Sequence, residues 1–581
     1  MANNSLFRRK SLESVIKNID VADDLHFEQH ALKRTLSARD LTFFGIAAII
    51  GAGSFSSLGA AIFNGGPGVV VLFIITGIAC GFTAYCYSEF ASRIPVSGSA
   101  YTYAYTSFGE VFAWIIGWAL IMEYSIGNIY VAFSWSDYFT SFLEKCNIHL
   151  SDYLTCSYLE AKKLFTEYSA TISIAEPMTL TSAQNELKNA WESAPMIGGL
   201  KIIFDLPAFM INIFITMLVY VGVKESRNFS NVMVVLKLAI VMLVILVGGA
   251  LLFSNGLTFN WTPENEEAVK SFMPNGFGGV MMAISGVFFA YIGFDAVSTM
   301  AEEAKNPQRD LPRGMILSLV ICTAVYILLT LVLSGVVNYK NFDGVGDPLA
   351  FIFEEQNLNL GWMQILVSIC AVIAMTSVLL VFQLGQPRIW MSMSRDGLLP
   401  KKFNTVHPKY KTPSYATIIT GLVVGIPLLF TDKTFVLDFT SIATLFAFVL
   451  VCGGVLLIPR REKEKGRFHM PYINAKFIFP IVVVGFFILF CAVNQNYIQN
   501  LFSAKTTYSI STIIFWIIAF MLALYAFLKN WSLIPLMGLT TCLYLLTGMT
   551  AKNWLWFTVW LAIGLIIYFL YGRKNSKLNT N

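Results

Sequence analysis

The chain has 581 residues, of which 56% are hydrophobic and 13% charged, and its formal charge is +5. Such a composition over such a length excludes an ordinary soluble enzyme and places most of the chain in a bilayer. The basic excess follows a loop pattern described below, so it calls for no nucleic acid.

Residues 1–40 are polar, lack the apolar core and small-residue cleavage site of a signal peptide, and read as a cytoplasmic tail. In it Leu12, Val15, Ile16 and Ile19 recur with a weak amphipathic helical period, predicting a segment against the cytoplasmic membrane face. Apolar runs able to cross a hydrocarbon core of ~30 Å then follow almost without pause. They predict spans at 42–63, 69–91, 109–142, 203–222, 229–253, 277–300 and 314–337. Further spans fall at 361–391, 413–431, 435–458, 474–495, 509–528, 531–549 and 553–571. The expectation is an all-α integral membrane protein of about 14 helices, ending in a cytoplasmic tail at 572–581. With the N-terminus inside, loops on that side hold about 29 of the 40 Lys and Arg residues and loops on the other side about 10.

The first span carries Gly45, Gly51 and Gly53 where a membrane helix would favour Leu or Val. Backbone at that depth unwinds only where protein or a polar cavity surrounds it. A glycine-broken helix therefore points to a site where peptide groups hold a solute or ion. Close helix packing through small residues fits the same stretch.

Residues 143–202 form the one long outside loop, mixed in charge and partly helical in period. It contains Cys146 and Cys156, the two cysteines of nine outside the spans. An oxidising outer compartment would permit a bridge between them, and two free thiols are the alternative. The remaining cysteines read as small core residues, and no spacing supports a metal site or other cofactor.

Few charges enter the spans. Lys237 sits about two turns into the fifth, either snorkelling to the headgroups or loading and releasing a proton during a transport cycle. Asp295, late in the sixth span beside Gly286 and Gly293, either accepts freed backbone N–H groups or gates the inner side of a pathway. Glu123 in the third span needs a partner, a structural hydrogen bond or Lys237. Glu89, Glu302 and Glu303 lie near cytoplasmic ends, within reach of Arg93, Lys305 or Arg309.

The glycine-weakened first and sixth spans are five helices apart. Five is odd, so a second five-helix unit enters the membrane from the opposite face and makes an inverted repeat. Two discontinuous helices then offer N–H groups to a carboxylate and carbonyls to an ammonium, as a zwitterionic amino acid requires.

Several long motifs in order carry a resemblance. They are Gly45-Ile-Ala-Ala-Ile-Ile-Gly-Ala-Gly53, Tyr87 to Tyr103, Phe289-Ala-Tyr-Ile-Gly-Phe-Asp-Ala-Val-Ser-Thr299, Glu302 to Arg313, Gly385-Gln-Pro-Arg388 and Met393 to Pro400. From the late N-terminal tail to about residue 460 the chain resembles an amino acid permease of the amino acid–polyamine–organocation (APC) superfamily, nearest the bacterial members of its cationic amino acid transporter branch. The resemblance implies an APC, or LeuT-type, five-plus-five inverted repeat in a ten-helix core at 41–458. Its repeats would be 41–253 and 277–458, with helices 1 and 6 discontinuous and four additional helices at 474–571. It also implies proton-coupled uptake or exchange of an L-amino acid across the cytoplasmic membrane by alternating access, and no enzymatic activity. The substrate carboxylate would meet N–H groups around Gly51, Ala52 and Gly53. The ammonium would meet carbonyls of Ile49, Phe289, Ala290 and Ile292, with Phe289 as an aromatic cover. Lys237 would stand where sodium-coupled relatives bind an ion, partnered by first-span carbonyls near Ala48 and the hydroxyls of Thr376 or Ser377.

Two departures stand out: the family usually has isoleucine at Ser54, and loop 143–202 exceeds what bacterial relatives usually carry. Exchange, sodium coupling or an amino-acid-sensing receptor are the alternatives. An apolar face at Val378 and Leu379 favours neutral substrates or a broad range.

Overall fold

The computed structural model describes residues 8–9, 36–51, 53–94, 99–172, 182–222, 227–254, 260–264, 270–410, 412–460, 467–493, 497–503 and 507–579. The predicted amphipathic stretch from Leu12 to Ile19 lies outside them, as does Ala52. The architecture is helical, apart from a two-residue antiparallel pair, Met196–Ile197 with Leu200–Lys201, and isolated bridges. Among the described residues nine helical runs are long and apolar enough to cross a membrane. A tenth is a pair, Gly276–Met282 with Ile284–Ser298, bent by 44°. Leu206–Val221, Ser414–Leu428 and Leu533–Leu546 are apolar but shorter.

Local chemistry sets the helix starts. Ser37 and Asp40 form a reciprocal capping box before Ala38, the Ser37 N–H donating to Asp40 Oδ2 at 2.9 Å. Asp205 caps Leu206–Val221 by accepting from Ala208 N at 2.9 Å, and Pro207 and Pro307 stand in first turns where no N–H is missed. The core forms where Glu110–Lys145 packs on Gly361–Arg395, and Pro307–Val336 on both Ala38–Ile49 and Val69–Arg93. The Ala475–Val493 and Thr507–Lys529 helices turn Phe477, Ile481 and Leu528 outward, each at least 64% exposed. Large apolar side chains facing out along whole helices fit hydrocarbon rather than water.

The long loop folds into Tyr158–Ile172 and Ser182–Ser193 around Ala161, Ala194 and Ile203. Cys146 is exposed and Cys156 half-buried; both are free thiols in this structure, one of the two alternatives the loop chemistry leaves open. Glu160 accepts from Lys433 N at 3.1 Å. Burial, with the Asp432 carboxylate next in effect, pushes the Glu160 carboxyl from 4.5 up to about 7. Protonation thus stabilises the folded loop: the contribution is full below the unfolded pKa near 4.5 and is lost as pH rises through about 7. Amide exchange of residues 158–172 should be slower at pH 5 than at pH 8 after correction for intrinsic rates. Glu160→Gln should flatten that difference; an equal difference in the variant assigns it elsewhere.

Candidate functional site

The Ala38–Ile49 helix stops where Ile50 turns extended, at φ −77° and ψ 95°. The chain resumes as a wide turn at Gly53–Ser57 and the Leu58–Gly65 helix. A helix ending inside the protein leaves its last carbonyls without intrahelical partners. Ile46 O takes the Ile50 N–H at 2.8 Å. Ala47 O takes the Lys237 ammonium at 3.1 Å, and Ile49 O takes the Tyr326 hydroxyl at 2.9 Å. The intervening carbonyl, of Ala48, packs against Gly293.

The second break faces the first. After Ile284–Phe289 the chain passes Gly293 at φ +115°, a left-handed conformation that favours glycine, into a tightly wound 3-10 helix at Phe294–Glu303. A Cβ on Gly53 would lie 2.4 Å from the Ala290 Cα, and one on Gly293 2.9 Å from the Ala48 carbonyl. Ser57 Oγ sits 2.7 Å from Gly53 O and 2.9 Å from Gly286 O, joining the two segments. Backbone approach this close is possible only with hydrogen as the side chain.

The structure places most of the sequence-predicted substrate residues at this junction. Ile49, Gly51, Gly53, Phe289, Ala290 and Ile292 are all buried within it. Gly51 packs on Val378, 2.6 Å from where its Cβ would be. Phe289 lies edge-on to Tyr130 with ring centres 4.5 Å apart. Ser54 turns its hydroxyl back on Gly51 O at 3.0 Å, so it closes the local turn.

Lys237 is 2% exposed, and its ammonium donates to Ala47 O, a first-span carbonyl beside Ala48. Thr376 accepts from Trp135 Nε1 at 2.9 Å and donates to Val372 O, while Ser377 donates to Ala374 O. Glu123 is 3% exposed, and its Oε2 has no hydrogen-bond partner among the described residues. Asp295 is buried, 2% exposed, just after Gly293. Glu89 pairs with Arg93 at 2.8 Å, and Arg309 pairs with Asp310 at 3.2 Å.

Charge counting passed over uncharged polar groups. Asn128 donates to Gln383, which donates to Thr216 at 2.6 Å, and Gln386 donates to Ser125 at 2.6 Å. Amides and hydroxyls within apolar runs were the available signal, since each needs a partner in the membrane. Tyr326 belongs here too. Tyr326→Phe removes the donor to a buried carbonyl and should cost about 1–2 kcal/mol of stability. A lowered melting temperature in detergent is the check; an unchanged one would mean that Ile49 O finds another donor.

These features define a multi-pass helical membrane protein. The chain belongs to the amino acid permease family: a family model described as "Amino acid permease" matches residues 36–522, and one for the C-terminus of these permeases matches 533–576. It is 36% identical over 576 residues to a branched-chain amino acid permease of Bacillus subtilis (strain 168), covering 99% of each chain. It is 34% identical to a methylthioribose transporter of the same organism, again over 99% of each. A vacuolar cationic amino acid transporter of Arabidopsis thaliana is 29% identical, over 99% of this chain and 93% of its own. The family and these relatives are transporters, not enzymes.

Proposed function

We propose that the protein carries L-amino acids across the cytoplasmic membrane by alternating access, as a proton symporter. Fourteen spans with both termini inside would comprise an inverted-repeat core at 41–458 (repeats 41–253 and 277–458) and four added helices at 474–571. The discontinuous segments at 50–57 and 289–293 form the site. N–H groups around Gly51, Ala52 and Gly53 meet the carboxylate. Carbonyls of Ile49, Phe289, Ala290 and Ile292 meet the ammonium; Ile49 O keeps a second lone pair beside Tyr326. Glu123 and Asp295 are further intramembrane acids on this pathway.

The observation that carries the reading is the Lys237 ammonium on Ala47 O, at the C-terminal end of a broken helix where a cation is favoured. An ammonium there fills the place of a coupling metal cation and has a proton to give. The apolar contact of Val378 on Gly51 supports neutral side chains, and the branched-chain permease among the relatives fits that choice.

The test is uptake of labelled isoleucine into proteoliposomes under an imposed pH gradient, competed by each common amino acid and by methylthioribose. Accumulation that follows the proton gradient and is competed by neutral amino acids is expected. Dependence on sodium, uptake only against internal amino acid, or binding without accumulation would instead indicate a sodium symporter, an exchanger or a receptor.

A further inference from the structure

On the side of the long loop a cavity of about 520 Å³ opens between the end of Glu110–Lys145, the loop and residues 341–357. Asp137 lines it. Its carboxylate forms an ion pair with Lys433, the first residue of Lys433–Leu457, and both side chains are partly exposed, 29% and 21%. Behind the pair, Lys433 Nζ lies 5.7 Å from the centre of the Tyr130 ring, and that ring meets Phe289, the cover of the glycine junction. The sequence of contacts from cavity to junction is therefore Asp137, Lys433, Tyr130, Phe289. A solute moving from the cavity to Gly53 and Ala290 has to part this column.

Both partners are held from outside. The backbone at Gly346 packs so closely on Asp137 that a Cβ would lie 2.5 Å from its Oδ2. The long loop grips the turn before Lys433: Ser157 Oγ donates to Thr431 O at 2.8 Å, and Glu160 accepts from Lys433 N at 3.1 Å. A loop with no place in the substrate junction thus fixes the backbone on which Lys433 stands.

We infer that Asp137 and Lys433 are positioning residues that bolt the outer gate, and that the 143–202 loop is the clamp that holds the bolt in register. The inference rests on the transport reading for its direction, cavity to junction. An ion pair bridging two elements biases a two-state gate toward closed, and removing it shifts the population toward open.

The test places a reporter thiol under the gate. Ser56 is 3% exposed and lies 3.4 Å from the Tyr130 hydroxyl. Full-length protein carrying Ser56→Cys, Cys146→Ser and Cys156→Ser is reconstituted, and its labelling by a membrane-impermeant maleimide is timed. Adding Lys433→Met should raise the labelling rate about tenfold, and Asp137→Asn should match it. The two together should add nothing further, because each removes the same pair. The exchanged pair Asp137→Lys with Lys433→Asp should bring the rate back to within about threefold of the parent. Unchanged labelling in Lys433→Met overturns the gate, as does additive labelling in the double variant. Labelling needs no transport. Wild-type protein that accumulates no amino acid, while labelling of the Ser56→Cys protein answers to Lys433, removes the transport reading and leaves the bolt; the reverse removes only the bolt.

Discussion

Lys237→Ala is expected to lose proton-driven accumulation while keeping substrate exchange. Lys237 is buried and its ammonium reaches Ala47 O. Alanine removes the charge and leaves that carbonyl at a helix end without its donor, a penalty of about 1–3 kcal/mol for a buried group. If the lysine carries this term in one conformation and releases it in the other, its loss shifts the balance of the two states by about 2 kcal/mol, roughly 30-fold. More important, the variant has no titrating group at this position, so a proton gradient has nothing there to act on. Under an inward proton gradient, uptake should fall at least about 30-fold and the internal concentration should stop near the external one. Exchange of labelled for unlabelled substrate should persist, because the N–H and carbonyl groups of the junction are backbone. Lys237→Arg keeps a charge that cannot be shed near neutral pH, so it should fail in coupling like the alanine while protecting the fold. Undiminished gradient-driven uptake in Lys237→Ala would remove this residue from the coupling mechanism.

Much of the junction was legible because glycine is an unusual choice in a membrane helix. Gly51, Gly53 and Gly293 mark where two backbones must meet, and the structure sets Gly53 on Ala290 and Gly293 on Ala48. Span boundaries read from apolar runs began the first helix at 42, whereas the reciprocal Ser37 and Asp40 cap starts it at Ala38. Pairings set by tertiary structure were not legible. Tyr326 lies 277 residues from the Ile49 carbonyl it serves, and Lys433 lies 296 residues from Asp137. A tyrosine in an apolar run and a lysine at a span edge look ordinary until the fold brings their partners. Lys237 shows an intermediate case. Its depth left snorkelling and a buried role both open; where the first helix ends decides that its ammonium meets Ala47 O. For Cys146 and Cys156 the loop chemistry left a bridge and two free thiols both open, and in this structure the thiols are free.

Gly53→Ala should cut substrate affinity about 100-fold although it adds one methyl group. The new Cβ would stand 2.4 Å from Ala290 Cα and 3.1 Å from Ala290 Cβ. The nearer atom is backbone and cannot rotate away, so the two segments have to separate by about 1 Å to restore ordinary contact. Overpacking of this kind costs about 1–3 kcal/mol of stability, and binding groups held by backbone lose their geometry at displacements above about 0.5 Å. The N–H groups beside Gly53 and the carbonyls beside Ala290 would be pulled apart together. Two companions separate this account from a general loss of flexibility. Gly278→Ala adds the same methyl group to the other broken span, where nothing lies within 4 Å, and should leave affinity unchanged. Ala290→Gly in the Gly53→Ala background removes the 3.1 Å contact but not the 2.4 Å one, so it should restore little. Full rescue by Ala290→Gly would show that side chains, not backbones, set the spacing of the junction. Equilibrium binding of labelled isoleucine to the four proteins in detergent measures all of this, with the melting temperature of each recorded alongside. A Gly53→Ala protein that binds like the parent would mean that the close approach of the two breaks has no part in holding the substrate.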